Sequence, residues 1–82
     1  MSDLETLTEV FRRVLKKRDI SLAPSMTAAD VPSWDSVNHV NLMIEIEDAF
    51  GVRFSTREIT GLRNVGGLVD LLRAKGAKVA WS

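Results

Sequence analysis

The chain has 82 residues, eleven basic and eleven acidic, with one histidine and no cysteine, so its formal net charge at neutral pH is zero. A chain of this length makes one domain that buries about 60 to 70% of its unfolded surface, and the lack of cysteine excludes a disulfide framework, a thiolate nucleophile and a cysteine metal site. Zero net charge argues against general affinity for nucleic acid or for an anionic membrane.

Ser2 and Glu5 have the spacing of a capping box. Behind them Leu4, Leu7, Phe11, Val14 and Leu15 recur at helical steps, and Lys16, Lys17 and Arg18 follow where cations favour the negative end of a helix dipole. This predicts a first helix over about Asp3 to Lys17. The acidic, helical start is unlike a signal peptide, and no apolar stretch approaches the roughly 20 residues of a membrane span. A soluble, cytoplasmic protein is expected.

From Arg18 to Trp34 the chain has no sustained period and contains Pro24 and Pro32. Loops beyond about 12 to 15 residues are usually functional or disordered. Here Ile20, Leu22, Met26, Val31 and Trp34 predict an ordered crossover whose apolar side chains cap a helical bundle, with one turn of helix around Thr27 to Asp30.

Pro32 disfavours helix at Ser33, and Asp35 offers a carboxylate to the free N–H groups that follow, so the second helix should open at Ser36. At about 100° per residue, Val37, Val40, Met43, Ile44 and Phe50 share one arc, with Ile46 at its edge. Asn38, Asn41, Glu45 and Asp48 share the other. The first arc is the expected core face and the second the solvated face. Glu47 falls near the apolar arc and is expected at the open end of the bundle, reaching water or a partner. Gly51 should be a left-handed stop, with Val52 making the apolar contact behind it.

Phe54 reads as a further anchor. Ser55 and Glu58 repeat the capping-box spacing and predict a short helix over about Thr56 to Leu62, with Ile59 and Leu62 facing the core. Asn64 should cap a last helix through Val65, Leu68, Val69, Leu71 and Leu72, stopped by Gly76. Gly66 and Gly67 each lower helix stability by about 1 kcal/mol relative to alanine, which predicts a soft start. That start and the short third helix, both poor in core candidates, are expected to open more readily than the other helices. Ala77 to Ser82 has lost the period and reads as a frayed tail beyond a domain of residues 1–76, with Trp81 unassigned. Helices with one apolar stripe must bury it against one another. The expected fold is all-α: a small four-helix bundle, three main helices and one short one, with a long loop between the first and second.

Catalysis needs a constellation of groups. Ser36 and His39 are neighbours on one helix face, but nothing in the sequence supplies an oxyanion donor, a phosphate loop or metal spacing, so an enzyme is not expected. By itself Ser36 with Asp35 starts a helix. A first-turn hydroxyl is nonetheless exposed and lies at the helix end that favours a phosphate.

The run Asp35-Ser36-Val37, followed by Val40, Leu42, Ile46, Glu47 and the closing Phe50-Gly51-Val52-Arg53-Phe54, resembles the acyl carrier protein family over roughly Leu4 to Leu72. The resemblance implies that Ser36 bears a 4′-phosphopantetheine arm whose thiol holds cargo as a thioester. It implies a separate phosphopantetheinyl transferase that uses coenzyme A and magnesium, with Asp35 in its footprint as well as capping the helix. Acyl-loading and acyl-processing enzymes follow as partners of a monomer, with Val37, Asn38, Asn41, Glu45, Glu47 and Asp48 as the candidate docking face. Fatty acid carriers are usually strongly acidic there, whereas Asn38 and Asn41 here leave Glu45, Glu47 and Asp48 as the acidic cluster. Docking should therefore rest less on charge. The wording from Trp34 to His39 looks more like carriers of specialised, polyketide-like pathways than the housekeeping fatty acyl carrier. An aminoacyl or peptidyl carrier is the nearest rival, against which Asp35 weighs. From a different class comes an unmodified helical adaptor binding through the second helix. Trp34 should anchor the loop at the bundle mouth, and His39 should be a partly exposed helix residue.

Overall fold

The bundle starts from an amphipathic helix, α1 (Asp3–Leu15), which buries Leu7, Val10, Phe11 and Leu15. The computed structural model describes residues 3–62 and 64–80; Ser2 of the expected first capping box and Trp81 lie outside the described residues. The helix ends at Leu15 because Lys16 turns left-handed, with φ 56°, and the Lys17 amide closes back on the Arg12 carbonyl at 3.1 Å. It therefore stops before the lysine pair that the sequence places in its last turn.

The long connection is ordered, as its apolar residues predict. Ile20, Val31 and Trp34 are buried, Leu22 and Met26 pack partly against the core, and a 3₁₀ turn covers Ala28–Asp30. Polar bonds fix the crossover at three places. Arg12 Nε donates to the Ile20 carbonyl at 3.0 Å, and Ser33 Oγ donates to the Leu15 carbonyl at 2.9 Å. In mid-loop, the Pro24 and Met26 carbonyls accept from the Gly66 and Val65 amides at 3.0 and 2.9 Å.

The second helix, α2 (Ser36–Phe50), opens and closes where expected, but its buried face differs from the expected one. Leu42, Met43 and Ile46 are buried, whereas Val37, Val40 and Ile44 are 70%, 50% and 49% exposed. The helix carries apolar residues on two sides, and a projection that seeks one stripe merges them. Packing against α1 selects the side that also holds His39 and the half-buried Phe50. Gly51, at φ 66°, ends the helix, and the Gly51 and Val52 amides both close on the Glu47 carbonyl. The Leu15 end of α1 meets Ser33 just before α2, while Asp3 shares a cleft with Phe50 and Gly51. The two helices therefore run antiparallel, with Ser36 at the crossover end.

The short α3 (Thr56–Gly61) begins with the expected capping box: the Ser55 amide donates to Glu58 at 2.8 Å and the Glu58 amide to Ser55 Oγ at 3.1 Å. It buries no residue fully; Ile59 and Leu62 pack partly against the core. The Ser55 amide, and after it Lys75 at 3.1 Å, hold the Glu58 carboxyl below its usual pKa. A depressed carboxylate adds stability that is present above the unfolded value, near 4.3, and lost as pH falls through the lower folded one. Acid titration of α3 by NMR should thus show its first turn persisting below about pH 4.3 and then fraying, a transition absent in Glu58→Gln.

The last helix, α4 (Val65–Ala74), is capped by Asn64, whose Oδ1 accepts from the Gly67 amide at 2.7 Å, and buries Val65, Leu68, Val69 and Leu72. Its start carries a constraint that helix propensity does not reveal. A Cβ on Gly66 would lie 2.9 Å from the Pro24 carbonyl oxygen, which is backbone and cannot swing aside. Propensity alone predicts that Gly66→Ala gains about 1 kcal/mol. The contact predicts the opposite sign, a loss of roughly 1 to 3 kcal/mol, to be read by urea denaturation.

Beyond Gly76, with φ 100°, the segment expected to fray is docked as far as Val79. Val79 is 1% exposed, its carbonyl accepts from Arg73 Nε at 2.6 Å, and the Lys78 amide donates to Asp3 Oδ2 at 2.8 Å. One apolar anchor and two polar bonds hold it, and neither leaves a period in the sequence. Among the described residues the architecture is the expected all-α bundle without a strand.

Candidate functional site

Ser36 stands on a helix start that does not need its hydroxyl. Asp35, in extended backbone, is the cap: its Oδ1 accepts from the Asn38 amide at 2.9 Å, and its carbonyl accepts the His39 amide at 2.8 Å. Asn38 Nδ2 reaches back to the Ser33 carbonyl at 2.7 Å and fixes the loop just before the helix. The Ser36 hydroxyl is exposed and makes no hydrogen bond among the described residues. The Ser36 and Val37 amides lie in the first turn, where no intrahelical acceptor exists. A phosphate ester on this oxygen would sit at the positive end of α2.

Trp34 is the anchor the sequence predicts, 7% exposed, with its ring edge-on to Phe11 at 5.4 Å and 87°. Its indole N–H donates to His39 Nδ1 at 3.1 Å, and His39 Nε2 lies 3.0 Å from the Ile59 carbonyl. Indole nitrogen only donates, so Nδ1 is the bare nitrogen and Nε2 carries the proton given to Ile59. With both nitrogens engaged, His39 is not a base for Ser36. From Ser36 an open groove of about 560 Å³ runs between α2 and α3, lined among others by Trp34, His39, Val40, Ile59 and Leu62.

The candidate docking residues divide. Val37, Asn41 and Asp48 are exposed. Glu45 pairs with Arg13 of α1 at 2.8 Å, and Asn38 is held by the loop. Glu47 Oε2 accepts from the Phe54 amide at 2.7 Å, so this carboxylate staples the turn after α2, though the sequence placed it facing water or a partner. Sequence reasoning missed Val40 and Ile44, which it assigned to the core. With Val37 they form an exposed apolar strip leading away from Ser36. The available signal was the doubled apolar pattern of α2.

The family model for the phosphopantetheine attachment site matches residues 5–72, which include Ser36 and all four helices but for two residues at the start of α1 and two at the end of α4. The chain belongs to the acyl carrier protein family. The carrier is 37% identical to the holo acyl carrier protein of Geobacter metallireducens, whose solution structure superposes with a TM-score of 0.82 over 92% of this chain and 86% of that one. A putative acyl carrier protein of Mycobacterium tuberculosis, 22% identical, shares the fold with a TM-score of 0.77, covering 87% of this chain and 95% of that one. The meromycolate extension acyl carrier protein of Mycolicibacterium aurum is 27% identical over 67 residues, 82% of this chain and 69% of that protein. Members of this family are carriers, not enzymes, and their cofactor is covalent 4′-phosphopantetheine. The site fits that group: an exposed hydroxyl, free first-turn amides and an apolar groove adjoin one another. Among the described residues no cluster of metal-ligating side chains occurs, and no helix is long and apolar enough to cross a membrane.

Proposed function

We propose that Ser36 takes the 4′-phosphopantetheine arm and that the protein, a cytoplasmic monomer, carries acyl groups as thioesters between enzymes of a specialised, polyketide-like or fatty acyl pathway. The observation that carries this reading is the division of labour at the start of α2, where Asp35 caps the helix and the Ser36 hydroxyl is left exposed and unengaged. The arm supplies a thiol that a chain without cysteine lacks. A separate transferase makes the ester, with Asp35 in its footprint. The name of the mycobacterial relatives, meromycolate extension acyl carrier protein, supports an acyl rather than an aminoacyl cargo. The test is intact mass after incubation with coenzyme A, magnesium and a broad-specificity phosphopantetheinyl transferase. A gain of one phosphopantetheine on the peptide bearing Ser36 is expected. No gain in folded protein, with a known carrier modified alongside, would leave the unmodified adaptor as the better reading.

Docking in this reading is chiefly apolar. The strip of Val37, Val40 and Ile44 begins beside the arm, while Glu45 is partly neutralised by Arg13 and one oxygen of Glu47 is engaged by the Phe54 amide. Ile44→Glu should raise the KM of an acyl-processing enzyme that accepts the wild type about tenfold or more, the scale of losing one buried aliphatic side chain at an interface. Because Ile44 is already exposed, the melting curve should move by no more than about 0.5 kcal/mol.

A further inference from the structure

The groove beside Ser36 is closed on one side by a helix with very little holding it. α3 buries no side chain fully. Its first turn is tied by the Glu58–Lys75 pair, and Ile59 and Leu62 lie partly against the core. At its other end, the Ile59 carbonyl has only a long backbone bond, from the Leu62 amide at 3.4 Å, and room for a second donor. That oxygen takes the His39 proton at 3.0 Å. The same ring accepts from Trp34, which is locked by Phe11. One imidazole thus joins the crossover, α2 and α3 at the lip of the groove.

We propose that His39 is a positioning residue that holds α3 over the groove beside Ser36, and that protonation of its ring releases the helix. The joint requires a bare Nδ1. A proton added there, taken from solvent, sets an N–H against the indole N–H at 3.1 Å and leaves that buried donor without an acceptor. Trp34 is fixed by its packing, so the ring moves, and the Ile59 carbonyl loses the shorter of its two bonds, keeping that from the Leu62 amide. Histidine is the side chain suited to a charge change between about pH 5 and 8.

The neighbours leave this step to His39. From the crossover, Trp34 and Ala28 face the groove, and from α3 Ile59, Thr60 and Leu62, all uncharged. Phe11 of α1 stands behind Trp34. Asp35 is the other titratable group of the lining, and its carboxylate caps the Asn38 amide. Glu58 on α3 has a lowered pKa and keeps its charge through this range. The use of the joint in admitting cargo rests on Ser36 as the attachment point; the joint itself does not.

The test is amide exchange by NMR on the unloaded protein at about pH 7.5 and about pH 5.5, corrected for intrinsic rates, with α1 and α2 as internal references. In the wild type, protection of Ile59 to Leu62 should fall roughly three- to tenfold at the lower pH, the scale of one hydrogen bond. In His39→Gln, whose amide donates without titrating, protection should not change with pH, and in His39→Ala it should be low at both. Constant protection in the wild type, or an equal fall in His39→Gln, would overturn the proposal. Loading at Ser36 is read separately by mass, so a failure there leaves the joint standing and removes only its use for cargo.

Discussion

Ser36→Ala should take up no phosphopantetheine while melting within about 0.5 kcal/mol of the wild type. The two halves of this result come from different residues. The modification requires the hydroxyl as nucleophile toward coenzyme A, and no neighbouring serine substitutes for it: Ser33, the closest in sequence, donates its hydroxyl to the Leu15 carbonyl. Stability requires only the cap, which is the Asp35 carboxylate on the Asn38 amide. Alanine in the first turn is at least as good a helix former as serine, so nothing offsets the missing oxygen in the wild type's favour. Asp35→Ala is the informative contrast. It should lose roughly 0.5 to 2 kcal/mol with the cap and load slowly while keeping the acceptor. Intact mass and urea denaturation of both variants, side by side, separate the site from its scaffold. Phosphopantetheine on Ser36→Ala would place the attachment elsewhere and remove the reading built on this helix start.

The features legible in the sequence are those settled by chemistry within a few residues. Asp35 ahead of Ser36, Ser55 with Glu58, Asn64 ahead of Val65, and glycine after Phe50 each satisfy or end the backbone of one turn, and each was placed from residue type and spacing. The crossover was legible as ordered because its apolar residues had to be buried somewhere. What eluded the sequence was set by partners far along the chain. Two apolar strips on α2 compete for the core, and α1 decides between them. Nothing local to Glu47 signals that one of its oxygens accepts from the Phe54 amide 2.7 Å away. Gly66 looks like a weak helix residue until Pro24 is found against it, and Val79 like tail until it is seen buried.

The site shows the same division. Its chemistry, a serine behind a capping aspartate, is local and was read directly. Its shape is not local, since the groove is lined by residues of the crossover, α2 and the α3 region, and a tryptophan, a histidine and a carbonyl from these three meet at one ring. His39 was expected to be an ordinary partly exposed residue. A single histidine carries no pattern, and its role appears only when residues 34, 39 and 59 are adjacent.

Phe11→Ala should be the most damaging single substitution in the scaffold. The side chain is fully buried, and truncating such a phenylalanine costs about 3 to 5 kcal/mol. That is a large part of the 5 to 15 kcal/mol or so that holds a small domain together. The loss also spreads. The Phe11 ring is the wall against which Trp34 stands edge-on, a geometry that contributes about 0.5 to 1.5 kcal/mol beyond area burial, and Trp34 in turn positions His39. At roughly 4 to 8 °C per kcal/mol for a domain of this size, the melting temperature should fall by more than about 10 °C. Loading at Ser36 should fail in proportion to unfolding and return when Phe11→Leu restores most of the volume. A Phe11→Ala protein that stayed within about 1 kcal/mol of the wild type would show that the crossover is held by its polar bonds to α1 and α4 rather than by the aromatic pair.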